Sequence, residues 1–301
     1  MVDHYVYGTV DRLSPEAPLP VLDETEEKYF LGGAALVAAN LSYLGAKVHF
    51  LSICADDDHY KIAKKLLIES SLSENLILKD NSRKTTCKKR FVATSPYFQQ
   101  LLRVDHETKD PISQKSLAEA KSKIDSVISS VSLVVISDYN KGLLTDSLIK
   151  YIIKKAKENK KLVIVDGKKN LREYSGSDIL VPNAKELCLS MGYRSSNEDS
   201  LLESLAKNLA TDIGCSIVIK RSSKGASIFD STGFRSIATK AKDVVNVSGA
   251  GDVFVAILSI ALSSGHSIDE AVKLANFGCA KAIAKRHPSV SLSDFSDSKA
   301  L

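Results

Sequence analysis

Short apolar runs recur along the chain at positions 48–52, 131–137, 162–166, 179–181 and 216–220, each followed by a longer stretch whose apolar residues repeat at helical spacing. Runs that are apolar on both faces and separated by helices are what a parallel sheet covered on both sides requires. The pattern predicts an α/β layered domain wound by right-handed crossovers. Residues 5–30 and 85–105 break this rhythm, mixing polar, aromatic and β-branched positions, with Pro15, Pro18 and Pro20 in the first. They read as strands of a smaller, separate sheet.

Near the C-terminus one helix begins at about Ala250, runs through Val253, Phe254, Val255, Ile257, Leu258 and Ile260, and stops before Gly265, a natural left-handed cap. It is too apolar to be exposed. Ser267 with Glu270 forms a capping box that starts the next helix, which extends to about Lys285. The Ser-rich stretch 289–298 reads as a loosely held tail, and no internal repeat or low-complexity linker interrupts the chain.

With 301 residues, 44% of them hydrophobic and 26% charged, the chain is long enough to bury a full core in one domain with a small accessory layer. No apolar run approaches the length of a membrane span, and Met1-Val2-Asp3-His4 has neither the basic start nor the apolar stretch of a signal peptide, so the expected location is the cytoplasm. The five cysteines (Cys54, Cys87, Cys188, Cys215 and Cys279) are odd in number, scattered and never in C-x-x-C spacing, which reads as reduced thiols rather than a disulfide framework or a zinc site. A formal charge of +5, from 41 basic against 36 acidic residues, is too small to imply a nucleic-acid partner. The densest basic stretch, 150–161, alternates with Tyr151, Ile152, Ile153 and Ala156 at helical spacing, as a solvated helix face does.

The strongest local signal is Asn246-Val-Ser-Gly-Ala-Gly-Asp252, a turn of small residues opening directly into the buried helix. Glycines let backbone N–H groups approach an anion, and the helix start adds its positive end, so this turn suits a phosphate. Asp252 has two readings: a favourable partner for the helix dipole, or a carboxylate that takes the proton from a hydroxyl attacking a bound phosphate. No G-x-x-x-x-G-K-[ST] and no strand followed by G-x-G-x-x-G is present, which argues against P-loop and dinucleotide folds. Gly32-Gly33 starts a helix that ends at Gly45; alone, such a turn serves packing as often as ligand binding.

Taken together, the N-terminal Gly-Gly before a helix, N-x-x-E in mid-chain and G-A-G-D near the C-terminus resemble the ribokinase family, also called the PfkB carbohydrate kinases, over nearly the whole chain. The resemblance implies a three-layer αβα fold with a mostly parallel central sheet and a small β lid, formed by segments of about 5–30 and 85–105. It implies that Asp252 is the catalytic base, with the backbone amides of Gly249, Ala250 and Gly251 stabilising the transferred phosphoryl group. It assigns Asn183 and Glu186 to organising Mg²⁺ and the ATP phosphates, with Glu186 reaching the metal through water. Asn183 as an N-cap with Glu186 at N3 is the competing structural reading. Lys220, Gly225 and Asn276 fall at nucleotide-site positions, Asn276 beside the adenine. Asp3, Gly32 and Gly33 would face the sugar hydroxyls.

Within the family, Asp11-Arg-Leu-Ser-Pro-Glu-Ala-Pro-Leu-Pro-Val21 is similar to a segment of the D-glycero-D-manno-heptose 7-phosphate kinases. Thr85-Thr-Cys-Lys-Lys-Arg90, Gln99-Gln-Leu-Leu-Arg-Val-Asp-His-Glu107 and Ser137-Asp-Tyr-Asn-Lys-Gly142 resemble further stretches of those enzymes. The implied reaction is transfer of the ATP γ-phosphoryl group to the anomeric hydroxyl of heptose 7-phosphate, giving the 1,7-bisphosphate used for lipopolysaccharide core heptose. A buried sugar phosphate needs several cationic donors, which these segments supply as Arg12, Lys88, Arg90, Arg103 and Lys141; each is equally readable as a surface charge.

The sequence departs from the family at several points. Leu36 stands where G-G-A-A-N-V has asparagine; Val165-Asp-Gly-Lys-Lys169 replaces D-P-K-G; and Lys220-Arg-Ser-Ser-Lys-Gly225 replaces T-R-x-E-x-G. Asn246 replaces a common aspartate and Lys285-Arg-His-Pro-Ser289 stands for K-x-G-T, which argues against activation by a monovalent cation. The family's first central strand, which ends in Gly-Asp before the M-x-D matching Met1-Val2-Asp3, has no counterpart, so the sheet is expected to lack it. A chain ending at Leu301 is expected to have no room for the nucleotidyltransferase domain of the longer heptose-family members. The expected partners are a sugar phosphate and possible pairing of two subunits through the lid sheet, with no nucleic acid and no membrane. Two other readings stay open: a kinase for another sugar, which Leu36 keeps in play, and a catalytically weak relative that retains sugar binding.

Overall fold

The computed structural model describes residues 1–95, 97–239, 244–285 and 287–296. The chain runs β1 (Val2–Leu13), β2 (Pro20–Leu31), α1 (Ala34–Tyr43), β3 (Ser52–Cys54), α2 (Asp58–Glu69), β4 (Ile77–Lys79), β5 (Cys87–Ser95), β6 (Gln99–His106), α3 (Gln114–Val127), β7 (Leu133–Asp138), α4 (Asp146–Glu158) and β8 (Leu162–Gly167). It continues through β9 (Ile179–Leu180), α5 (Ala184–Ser190), α6 (Asp199–Ile213), β10 (Ser216–Lys220), β11 (Ala226–Asp230), β12 (Gly233–Ile237), α7 (Ala250–Ser263) and α8 (Ile268–Ile283).

A six-stranded sheet in the order β12-β11-β10-β9-β8-β7 forms the centre. Strands β7 to β10 run parallel, and β11 and β12 close one edge antiparallel. Side chains on a strand point alternately to opposite faces. Along β8, Val163 and Val165 pack with Ile124, Leu148 and Leu205 of α3, α4 and α6, whereas Ile164 packs on the other side with Val37, Val253 and Val272 of α1, α7 and α8. Along β10, Ile217 and Ile219 join the first group and Val218 the second. That alternation inside two apolar runs makes the three layers. It also explains why α7, packed on the sheet by one face and on α1 and α8 by others, is apolar nearly all round.

A second, four-stranded sheet has the order β2-β1-β5-β6, with β1 antiparallel to β2 and parallel to β5. The two sequence segments that break the α/β rhythm supply nearly all of it, with Val2–His4, Leu31 and His106 extending beyond their bounds. Helix α2 packs on β1 and β2 and joins this outer sheet to the body.

The run at 48–52 differs from expectation: only Ser52–Cys54 is a strand, and it pairs only with β4 among the described residues. The six-stranded sheet stops at β7, so two strand edges face a cavity of about 680 Å³ whose walls include Phe50, Ile53, Ile128, Val135 and Ser259. This is where a further central strand would lie. Without that neighbour, the stretch ahead of Ser52 has no ladder to join and stays irregular.

The tail expectation needs a second correction. Residues 289–296 are tied down: Val290 N–H donates to Asn40 Oδ1 at 2.8 Å, Lys285 Nζ lies 2.9 Å from Asp294, and Ser291 with Asp294 forms a capping box. The rest of that stretch lies outside the described residues, as does Arg286. Both capping boxes foreseen in the sequence, Asn183 with Glu186 and Ser267 with Glu270, are formed. All five cysteines are free, and among the described residues no helix is long and apolar enough to cross a membrane.

Candidate active site

The carboxyl ends of parallel strands and the amino ends of helices meet at one side of an α/β sheet, where ligands bind. Here that side gathers Asp138 at the end of β7 and Tyr139 just after it, Asp166 and Lys168 at the end of β8, Lys220 at the end of β10, and the start of α7. Gly249 caps α7 in the left-handed conformation at φ 83°. A Cβ there would come 2.7 Å from Leu36 Cδ2 and 2.8 Å from Pro288 Cγ, so only glycine fits. The first bonds of the turn run from Ala250 N–H to Val247 O and from Val253 N–H to Gly249 O. The Gly251 and Asp252 amides have no acceptor among the described residues, as helix starts leave them.

Asp252 is 4% exposed in the first turn of α7. Burial raises its pKa to about 6; the Tyr139 hydrogen bond opposes that rise, Asp166 adds to it, and Lys220 and Lys168 oppose it. The Tyr139 hydroxyl donates to Asp252 Oδ1 at 2.6 Å. Burial, and next the Asp252 charge, hold the Tyr139 phenol far above its ordinary pKa, so it stays a donor.

Behind this pair lies a chain of charges. Lys220 Nζ donates to buried Asp166 Oδ1 at 2.8 Å, and Lys168 Nζ stands 3.6 Å from the same oxygen and 2.5 Å from Glu186 Oε1. Burial alone would lower the Lys168 pKa, but Asp166 and Glu186 outweigh it and raise it. Gly251 leaves room for Lys220, whose Nζ would sit 3.5 Å from a Cβ at that position. The replacement of the D-P-K-G pattern thus keeps a lysine, Lys168, beside the cleft.

On the opposite wall, Asp3 and Arg90 form a buried ion pair at 2.7 Å, with the guanidinium over the Tyr5 ring. Gly32 packs against the Asp3 carboxylate, where a Cβ would lie 2.5 Å from Oδ2, and Gly33, at φ 56°, abuts the edge of Tyr139. Lys88 Nζ stands 5.1 Å from the Tyr139 ring centre. Burial lowers its pKa, and among the described residues no carboxylate pairs with it. The other proposed cations are spent elsewhere. Lys141 pairs with Glu107 at 2.6 Å, and the exposed Arg103 and Arg12 pair with Asp105 and Asp23.

Asn183 and Glu186 make the reciprocal capping bonds at 2.8 Å each, so the structural reading of this pair is realised; Glu186 Oε1 nevertheless faces Lys168 and the cleft. Gly225 and Asn276 converge on one carbonyl at the end of β12: Asn276 Nδ2 donates to Ile237 O at 2.9 Å, and a Cβ on Gly225 would come 2.3 Å from that oxygen. Asn276 is therefore engaged in joining α8 to the sheet. Leu36, 2% exposed, lies against the catalytic turn as an apolar wall.

Sequence reasoning did not single out Tyr139, Asp166, Lys168 or His287. The first three stand at the ends of apolar runs, inside the stretches Ser137-Asp-Tyr-Asn-Lys-Gly142 and Val165-Asp-Gly-Lys-Lys169, and that position was the available signal. His287 stacks on Phe30 at 4.0 Å, with burial lowering its pKa to about 4.

A family model described as pfkB family carbohydrate kinase matches residues 2–294. The chain belongs to that family. Membership makes it, by class, a phosphotransferase acting on a sugar hydroxyl. Among pfkB relatives, the Bifunctional protein HldE of Helicobacter hepaticus is 38% identical over 287 residues, 95% of this chain and 59% of that protein. The protein of the same name from Sulfurimonas denitrificans is 37% identical with the same coverage. The chain thus spans about three-fifths of the curated relatives it matches. In fold it is similar to Arabidopsis thaliana ribokinase complexed with ribose and ATP (TM-score 0.73, 19% identity, 97% of this chain and 92% of that one). It is likewise similar to Escherichia coli phosphofructokinase-2 in complex with fructose-6-phosphate (TM-score 0.78, 16% identity, 97% and 93%).

Proposed function

We propose that this pfkB kinase uses Mg-ATP to phosphorylate the anomeric hydroxyl of D-glycero-D-manno-heptose 7-phosphate, yielding the 1,7-bisphosphate. The observation that carries the reading is Asp252: a buried carboxylate with a pKa near 6, at a glycine-opened helix start, hydrogen-bonded to Tyr139. A base with that pKa is ionised at neutral pH yet basic enough to accept a proton as the attacking hydroxyl becomes acidic. As the sugar oxygen bonds to the γ-phosphorus, the bond to the β,γ-bridging oxygen breaks and ADP leaves. The hydroxyl proton passes to Asp252, and the free amides at the start of α7, with Lys220 and Lys168, meet the charge on the phosphoryl oxygens.

Mg²⁺ fits the donor set: magnesium keeps several waters and takes one or two carboxylates plus phosphate oxygens, and Glu186 and Asp166 are carboxylates at the nucleotide side of the cleft. Glu186 would hold it through water, and when bound it would neutralise phosphate charge. The 7-phosphate falls to Lys88, the outer-sheet cation beside Tyr139, which pairs with no carboxylate among the described residues, while the Asp3–Arg90 pair presents Asp3 to the sugar hydroxyls. Similarity of four stretches to the heptose 7-phosphate kinases supports the choice of sugar. The outer sheet would act as a lid over the substrate, and its exposed Leu102 and Val104 on β6 suit pairing with a second subunit.

The test is ADP release from Mg-ATP with heptose 7-phosphate, unphosphorylated heptose, fructose 6-phosphate and ribose. Fastest turnover with heptose 7-phosphate supports the reading, and turnover only with another sugar transfers the activity to that substrate. Sugar binding without turnover on any of them overturns the kinase assignment.

A further inference from the structure

Away from the cleft, Asp57, His59 and His106 each bring one ligand atom to within 4.8 Å of the others. The three come from two elements: Asp57 caps α2, His59 stands in its first turn, and His106 is the last residue of β6. We propose that they bind a divalent ion of the zinc class, with water completing a tetrahedral shell.

Each ligand is prepared for that role. Asp57 Oδ1 accepts from Tyr60 N–H and Oδ2 from Thr85 N–H, both at 2.9 Å, which fixes the carboxylate. The two imidazoles face each other at 5.0 Å between ring centres, tilted by 47°, and neither ring nitrogen pair has a hydrogen-bond partner among the described residues. Two imidazoles and a carboxylate form a borderline nitrogen and oxygen set that suits zinc rather than magnesium or calcium. Neighbouring ligands of a tetrahedral zinc ion lie about 3.3 Å apart, so the atoms need to close by roughly 1.5 Å at most, within reach of side-chain rotation at a helix start.

The consequence is mechanical. Helix α2 packs on β1 and β2, whereas His106 ends β6 at the opposite edge of the outer sheet. An ion at this place would tie both edges of that sheet to one helix and stiffen it.

The test uses tag-free, metal-stripped full-length protein, titrated with zinc against a chromophoric chelator, and with cobalt for its visible spectrum. The expected result is one site per chain, cobalt bands of tetrahedral type without a thiolate charge-transfer band, and affinity lowered at least about tenfold by His59→Gln or His106→Ala but unchanged by His266→Ala. In the wild-type protein, cobalt should broaden the ring protons of His59 and His106 and leave those of His266 sharp, which needs no variant to fold. Unaltered affinity in a variant carrying both His59→Gln and His106→Ala, broadening confined to other histidines, or a thiolate band tracing the ion to a cysteine would each overturn the proposal.

Discussion

The Tyr139 hydroxyl donates its hydrogen bond to Asp252 across 113 positions of sequence, joining the loop after β7 to the first turn of α7. Because it bonds the charged form, it holds the Asp252 pKa below the value that burial alone would set. The ionised carboxylate is the base, so kcat/KM should rise with pH through a limb near 6. Removing the hydroxyl withdraws support from the anion, and Tyr139→Phe should move that limb upward by about one unit. A pH–rate profile in matched ionic strength checks both. A limb that stays put in Tyr139→Phe would detach Tyr139 from the base.

The same residue makes a linked prediction about stability. The folded pKa of Asp252 lies above the unfolded value of 3.8, so the native state binds the proton more tightly, and stability falls as pH rises between roughly 4 and 6. Above that window the ionised, buried carboxylate costs about 3 kcal/mol. Asp252→Asn should therefore melt a few degrees higher than the wild type at pH 8 and match it near pH 4, while kcat drops by about 10²- to 10⁴-fold. Calorimetry at the two pH values together with a rate assay reads all three. A variant less stable at both pH values would mean that the carboxylate is structural.

Local chemistry was legible in the sequence; long-range pairing was not. The turn 246–252, both capping boxes and the alternation in β8 and β10 depend on neighbours within a few residues, and each was readable from residue type and spacing. Arg90 was readable as a cation, but its engagement by Asp3, 87 positions away, is decided by the register of β1 on β5. Lys88 and Arg103 carry the same charge in sequence, and only the sheet separates them, setting one by Tyr139 and the other by Asp105. The run at 48–52 has strand composition throughout, yet a strand needs a partner, and that is a property of the fold.

The difference between paired and unpaired cations separates two mutational outcomes. Lys88→Met should raise KM for the phosphorylated sugar at least tenfold, with kcat, ATP affinity and melting temperature little changed. Arg90→Met leaves the Asp3 charge buried without its partner, and it should cost about 3–5 kcal/mol of stability whatever the substrate. Thermal melts and steady-state kinetics on the two variants distinguish these roles. Equal loss of stability in both would remove Lys88 from the substrate site.

The cavity beside β7, about 680 Å³ in volume, holds a polar defect in its walls. Ser137 Oγ and Ser259 Oγ both border it, and neither has a hydrogen-bond partner among the described residues. Ser259 lies on α7 with no exposed surface, so its hydroxyl gives up water and receives nothing from protein, a loss of about 1–3 kcal/mol. Ser259→Ala should then raise the melting temperature by a few degrees, in contrast to the destabilisation that most core substitutions bring. Ser259→Leu should do the same while reaching into the space. The wild-type protein should bind a hydrophobic fluorescent dye in its native state, because apolar walls flank unpaired strand edges there, and Ser259→Leu should reduce that binding. Native protein that leaves the dye dark, combined with a lower melting temperature in both variants, would mean that ordered water fills the space and satisfies the two hydroxyls.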